Sequence, residues 1–344
     1  MDLIHPHTKT DVVEALREAS RDGVRVLVVG GRQHIDRGNP CETDVELWTT
    51  QLDEVVAHEP AEMLVVVEAG MRCGNLAATL AAHCQEWPAD APGRATVGGV
   101  IAAGVSSPRR LRVGHVRDTV VEMELVTGDG RLIKSGARTV KNVTGYDVHR
   151  LATGSLGTLG VIVQVALKVR PLPERSTALV VAKGGLDFAG QVHRLVPSAA
   201  SLTASPDATH VRLEGWIPEV EEMESAVRTL DVGVSSDPAD AEAADAMTTL
   251  EAAVPPSRLG ALLEGVARWR ALVGVGLVWI DVDSLEELAA IRERAASLGG
   301  IAPAIRGPGG LGDTSIPGIE IQRRLKHAFD PAGVLAPGRF WAGI

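Results

Sequence analysis

Glycine is the residue whose spacing in this sequence could support chemistry. Four segments of the first half set glycines beside apolar runs: VGGR at 29–32, ATVGGVIAAG at 95–104, RVGHVRD at 112–118 and GSLGTLG at 154–160. Without a Cβ in the way, successive backbone amides can converge on an anion, which is how a diphosphate is held where no basic patch is present. None of the four is a GxxxxGK[ST] nucleotide loop. Any one of them reads equally well as a tight turn, but four in one stretch of chain weaken that reading. Fewer other side chains invite a role. His34 follows the first glycine pair, and Lys141 and Tyr146, the single tyrosine of the chain, frame a GYD turn with Asp147 and Arg150. That turn also reads as a simple cap, with Asp147 accepting backbone amides.

These segments need elements to hold them. Residues 11–19 carry Val12, Val13, Leu16 and Ala19 at helical spacing, and a β-branched strand at 24–29 then delivers Gly30 and Gly31 at its C-terminal end. A buried strand at 62–68, a helix at 73–84, a hairpin at 119–134 turning on Gly128-Asp129-Gly130, and a long strand at 161–169 complete the first half. Pro171 and Pro173 mark a boundary. Beyond them, strands at 177–182, 210–216 and 277–282 alternate with helices at 191–196, 219–230, 259–271 and 285–298, as in an α+β domain. A last helix spans 319–329.

Composition narrows the function classes. The chain has 344 residues, enough for about two domains. No apolar run approaches the ~18 residues of a membrane span, and the N-terminus lacks the basic and apolar regions of a secretory signal. A cytoplasmic chain is expected, with any membrane association coming through partner subunits. The formal net charge of −10 argues against a duplex nucleic-acid binder, so Arg109, Arg110 and Arg112 read as ordinary surface charges. Three scattered cysteines, Cys41, Cys73 and Cys84, provide neither a disulfide framework nor a cluster ligand set. The 37 glycines are an excess, and the four segments account for much of it.

The order of the segments resembles the vanillyl-alcohol oxidase/PCMH-type FAD-linked oxidases: a first glycine loop, TVGG-I-A-A-G, RxGxVRD, then KNVTGYD-x-x-RL-x-x-GSLGTLGVI. The stretch 141–162 is the most specific part and is similar to the glycolate oxidase and D-lactate dehydrogenase branch, as is LKHAFDPAGVLAPGRF at 325–340. The resemblance covers about residues 24–173 and 320–341. It implies an α+β fold: a PCMH-type FAD-binding domain of two α+β subdomains at 1–173, a smaller α+β cap at 174–318, and a C-terminal helix and tail at 319–344 returning to the first domain. FAD is the implied cofactor. Gly30, Gly31 and Arg32 would form the diphosphate loop; Thr96, Gly98, Gly99, Ala103, Gly104 and Ser106 would line the opposite wall; Gly157, Gly160, Val161 and Ile162 would lie against a ring of the cofactor.

One departure bears on that assignment. The family's first loop usually reads GGGS or GGGT, whereas Arg32 and Gln33 follow two glycines here, so Arg32 either meets the diphosphate or fills its place. His34 has the wrong offset for a covalent flavin bond, since the histidine that anchors flavin in some relatives directly follows the glycine pair. Oxidising a 2-hydroxy acid requires a cation for the carboxylate and a base for the hydroxyl proton. Catalytic members of the branch use a His-x-His pair in the cap, where this chain has only His193 and His210. The one His-x-His, His5-Pro6-His7, stands at the N-terminus, and Arg212, Arg258 and Arg306 are expected at the surface. No metal site is expected. The catalytic residues stay unassigned, with Lys141 and Tyr146 as the weak candidates. The resemblance therefore implies an FAD-binding subunit of a glycolate-oxidase-like 2-hydroxy-acid dehydrogenase complex, passing electrons through its bound flavin, with a larger flavoprotein subunit, an iron–sulfur subunit and a small 2-hydroxy acid as partners. Two alternatives stay open: a free-standing FAD oxidoreductase, and a structural subunit that has lost flavin.

Overall fold

The computed structural model describes residues 2–138, 145–230, 233–235, 246–312 and 318–344. The chain divides into two units, the first made of Met1–Ser107, His115–Leu172 and Ser315–Ile344, the second of Pro108–Gly114 and Pro173–Thr314. The short segment 108–114 therefore groups with the second unit, although the sequence reading assigns it to the first.

The first unit begins with the helix Lys9–Asp22. Thr8 caps it by accepting from the Asp11 amide, and the Asp11 carboxylate takes the amides of His7 and Thr8 in return. These bonds hold the Asp11 carboxyl below the usual carboxylate range. Val12, Leu16 and Ala19 are buried, and Gly23 in the left-handed region ends the helix. The strand Val26–Val29 follows and pairs in parallel with Val45–Trp48, which in turn pairs with Asp2–Ile4. The second sheet is antiparallel and five-stranded, in the order Val55–Glu59, Leu64–Glu68, Val161–Lys168, Val120–Val126 and Leu132–Gly136. Seven of the eight residues of Val161–Lys168 are buried, as its unbroken apolar run requires of a central strand.

The C-terminal residues close this unit. Val26 donates to Val334 O and accepts from Ala336 N, so the tail runs as a short parallel bridge beside the strand that feeds Gly30. Arg339 donates to the carbonyls of Ile35 and Arg37, and Asn39 donates to those of Gly338, Arg339 and Phe340. The first glycine loop and the segment after it thus rest on residues about 300 positions away in sequence.

The second unit is an eight-stranded antiparallel sheet, with the helices Leu186–Leu195, Ile217–Arg228 and Leu285–Ser297 packed on a core that includes Val192, Val211, Leu213, Val220 and Ile291. One expected element is wrong. The helix foreseen at 259–271 stops at Leu263, Gly265 adopts φ +74°, and Trp269–Leu272 is a strand. Trp269 and Ala271 alternate into the core while Arg270 points away from it, a period-two pattern that the short run could not separate from a helical one. Arg109 also differs from its expectation as a surface charge. It is 3% exposed and pairs with the buried Glu214 at 3.1 Å, and the half-exposed Arg212 holds the same carboxylate at 2.7 Å.

Candidate cofactor site

The strand Val26–Val29 ends at Gly30, and the next three residues line a cleft faced by Thr96, Gly99, Ala102, Ala103, Leu156 and Arg339. The opposite wall is the helix Val97–Ala103. Thr96 caps it by accepting from Gly99 N at 3.2 Å, and Val97, Val100 and Ile101 turn into the core. The remaining face carries only Gly99, Ala102 and Ala103, which helical geometry stacks on one side. A small-residue face opposite a glycine loop leaves room for a bulky ligand between them.

The two glycine segments differ in how they use their amides. In the helix, Val97 N and Gly98 N are already committed, to Met71 O at 2.9 Å and Ala69 O at 2.7 Å. A Cβ on Gly98 would lie 2.8 Å from the Ala69 side chain, so this glycine exists for the close approach of the helix to its neighbouring strand. In the first loop, by contrast, the amides of Gly31, Arg32 and Gln33 donate to no protein group among the described residues. These residues are partly exposed, so their amides are open to a ligand, and a diphosphate supplies several acceptors for them. The loop, with the small helix face across from it, therefore fits the diphosphate of an FAD molecule.

Arg32 lines the cleft, and its side chain is held by Glu46. It adopts φ +57°, and its guanidinium donates to both oxygens of Glu46, at 2.8 and 3.0 Å. Glu46 is 2% exposed and also accepts from Trp48 Nε1 at 2.8 Å, while the guanidinium sits 5.3 Å above the Trp48 ring. A left-handed conformation costs a non-glycine residue about 1–2 kcal/mol, and an ion pair from Nη1 to a buried carboxylate with a cation–π contact is of the size to offset it. The cation on the other side of the loop is Arg72. A Cβ on Gly31 would lie 2.9 Å from Arg72 Nη1 and 2.4 Å from Arg94 O, to which Arg72 donates.

The other sequence candidates fall in different places. Gly104 ends the helix in the left-handed region and packs on Gly154, and Ser106 is buried beyond it, so neither lines the cleft. Gly154 N and Leu156 N bond to the carbonyls of Ile101 and Ala102, which brings Leu156, at φ +57°, into the wall and sets Gly157 against Val28. Gly160, Val161 and Ile162 do not reach the cleft. A Cβ on Gly160 would meet Leu125, while Val161 and Ile162 are core side chains of the central strand. His115 caps the short helix Val116–Thr119 and contacts Gly104 O at 3.2 Å, so RVGHVRD is a structural turn. Lys141 lies outside the described residues. Tyr146 is 93% exposed and contributes its carbonyl to Ser135. His34 is on the cleft lining.

In the second unit His193 lies on the helix Leu186–Leu195 and His210 on the strand Thr209–Gly215. No cluster of three or more His, Cys, Asp or Glu side chains suited to a metal exists among the described residues. Cys73 is buried and its thiol is pushed up to about 12 by that burial, so it is an inert core residue and not a nucleophile. No helix among the described residues is long and apolar enough to cross a membrane.

Three residues that contact or flank the first loop and the segment after it escaped the sequence reading. Glu46 carried no signal, since its partner is fourteen positions away. Arg72 precedes an ordinary helix. Arg339 lies within the recognised LAPGRF segment, but only the fold shows that it supports the loop.

Comparison with known proteins agrees with this geometry. Residues 3–136 match a family model described as an FAD binding domain. The chain is 28% identical to glycolate oxidase subunit GlcE of Escherichia coli, with 97% of each chain covered, and 23% identical to glycolate oxidase subunit GlcD of Bacillus subtilis, with 99% of this chain and 88% of that protein covered. Among solved structures, an alkyldihydroxyacetonephosphate synthase superposes with a TM-score of 0.71 at 15% identity, covering 97% of this chain and 75% of the other; it is similar in fold. Residues 3–136 thus carry an FAD binding domain, in a chain similar over nearly its whole length to two glycolate oxidase subunits.

Proposed function

We propose that the chain is the FAD-binding subunit of a glycolate-oxidase-like 2-hydroxy-acid dehydrogenase complex, working beside a larger flavoprotein subunit and an iron–sulfur subunit. The observation that carries this reading is the open loop: the amides of Gly31, Arg32 and Gln33 face a helix reduced to Gly99, Ala102 and Ala103, in a chain similar throughout its length to a glycolate oxidase subunit. FAD, when bound, accepts a hydride and releases electrons onward. The chain's own residues hold it: the loop amides donate to the diphosphate, Arg339 fixes the segment after the loop, and Gly99 and Ala103 leave space. The Arg32–Glu46 pair argues against the reading in which the site has been lost, because the long side chain of Arg32 is held on Glu46.

The purified chain should be yellow, and acid precipitation should release all the flavin, since His34 stands too far along the loop for a covalent bond. Colour retained in the pellet would contradict this. The decisive measurement is stopped-flow mixing with glycolate. The second unit offers no His-x-His pair, and a positioned base contributes ~10²–10⁴-fold to such a step, so the isolated chain should show negligible flavin bleaching within seconds at about millimolar acid. Addition of the two companion subunits should give dye reduction. Rapid bleaching of the isolated chain would favour a free-standing oxidoreductase.

A further inference from the structure

We propose that Arg72, and not the loop's own Arg32, supplies the positive charge for the FAD diphosphate. The argument rests on FAD binding by the first unit and extends it to a residue outside the family's glycine motifs. Arg32 is the obvious candidate from its place in the loop, yet both Glu46 oxygens hold it, and Glu46 is 2% exposed. Swinging Arg32 onto a phosphate would strand a buried carboxylate with only Trp48 Nε1 as donor, an exchange that sacrifices one charge pair to make another.

Arg72 is in the opposite situation. Its backbone is fixed beside the second glycine segment by an antiparallel bridge to Thr96, by Cys73 N donating to Ala95 O at 2.8 Å, and by Val97 N donating to Met71 O at 2.9 Å. This register directs the side chain to the flank of Gly31, where Nη1 lies 2.9 Å from the position of the missing Cβ. A Cβ at 31 would first meet Arg94 O, at 2.4 Å, so the glycine is needed for the close approach of the backbone carbonyl that holds Arg72. Among the described residues the guanidinium donates to one neutral acceptor, Arg94 O, and pairs with no carboxylate. An arginine has five N–H donors, which leaves Arg72 with donors and a full charge beside amides that also lack an acceptor. A diphosphate satisfies both, and pairs the charge.

The test is a titration of the apo-chain with FAD, followed by quenching of flavin fluorescence across a series of salt concentrations. Arg72→Gln keeps a donor for Arg94 O and removes the charge; Arg32→Gln is its counterpart on the loop. Arg72→Gln should weaken FAD binding about tenfold or more and flatten its salt dependence, and Arg72→Lys should restore most of both. Arg32→Gln strands the buried Glu46 carboxylate and should lower stability and affinity, but the affinity that remains should keep the wild-type dependence on salt. Thermal unfolding of each apo-variant separates loss of charge from loss of fold, and the lysine variant decides the matter if glutamine proves unstable. Loss of the salt dependence in Arg32→Gln, or its persistence in a folded Arg72 variant, would overturn the assignment. If the wild-type chain binds no FAD, the underlying reading fails with it, and is recognised because all three variants then behave as the wild type does.

Discussion

Replacing Gly99 with aspartate should abolish FAD binding while leaving the fold nearly intact. Gly99 stands on the small face of the helix Val97–Ala103, opposite the open amides of the first loop. A Cβ there meets one atom within 4 Å, Thr96 Oγ1 at 2.9 Å, so the added carboxylate would extend toward the cleft and not into the core. It would face a dianionic diphosphate in a partly desolvated site and occupy volume the ligand needs. Unpaired charge in such a place costs several kcal/mol, so the loss should exceed ~3 kcal/mol, or more than about 100-fold in affinity. Gly99→Ala is the control. It disturbs only the Thr96 cap, a bond of the kind that contributes about 1 kcal/mol, and should bind FAD within roughly tenfold of the wild type. An aspartate variant whose affinity falls less than tenfold would show that the helix does not form a wall of the FAD site. The same substitution at Gly98 should behave differently. There the side chain collides with Ala69, and the unfolding temperature should fall along with the affinity.

That contrast between neighbouring glycines shows how much of the site was legible. The sequence showed TVGG as a glycine segment beside an apolar run, and the resemblance put Thr96, Gly98 and Gly99 together on one wall of the site. It could not say which glycine makes room for a ligand and which for the strand ending at Glu68, because that depends on which face the helix turns to Ala69. The GSLGTLGVI segment is divided between roles in the same way. Its glycines and following apolar residues read as a cofactor wall, but Gly160 packs on Leu125, and Val161 and Ile162 begin a central strand, so only Leu156 and Gly157 lie near the cleft side. Strand residues buried in a core and strand residues buried under a ligand have the same composition. The partner of the Arg32 side chain was hidden for another reason. Its partner Glu46 belongs to a parallel strand, and parallel pairing joins residues with no local signal between them. The regular elements were more legible: the tail helix Ile319–Phe329 and the strands Val120–Val126 and Val161–Lys168 follow directly from apolar period and flanking turns.

The largest effect on stability is expected from Asp330→Ala, at the turn after the tail helix. The Asp330 side chain is fully buried and accepts from Val334 N at 3.0 Å and Leu335 N at 2.8 Å, while Lys326 Nζ approaches it at 2.8 Å. Lys326 is itself largely buried, which pushes its ammonium pKa down against the opposing pull of Asp330, and its remaining bonds go to the carbonyls of Thr158 and Leu335. Gly128 lies against the carboxylate so closely that a Cβ would sit 2.2 Å from Oδ1, which ties the hairpin turn to the tail. Alanine would leave a buried ammonium and two amides without their acceptor, and breaking such a pair costs about 3–5 kcal/mol. Against the ~5–15 kcal/mol that holds a typical domain folded, this is a large share. The consequence should reach the cofactor. The residues Asp330 orients are those that bond to Val26, immediately before the glycine loop, and the same tail carries Arg339 to the carbonyls of Ile35 and Arg37. Urea unfolding of the holo-chain should show the loss, accompanied by release of flavin at lower denaturant. The double variant Lys326→Met with Asp330→Asn should recover part of the stability, because it removes the stranded charge while keeping a carbonyl acceptor for one of the two amides. A single alanine variant destabilised by less than about 1 kcal/mol would mean that Asp330 contributes no more than an ordinary turn residue. In that case the tail must hold the loop through the Val26 bridge and Arg339 alone.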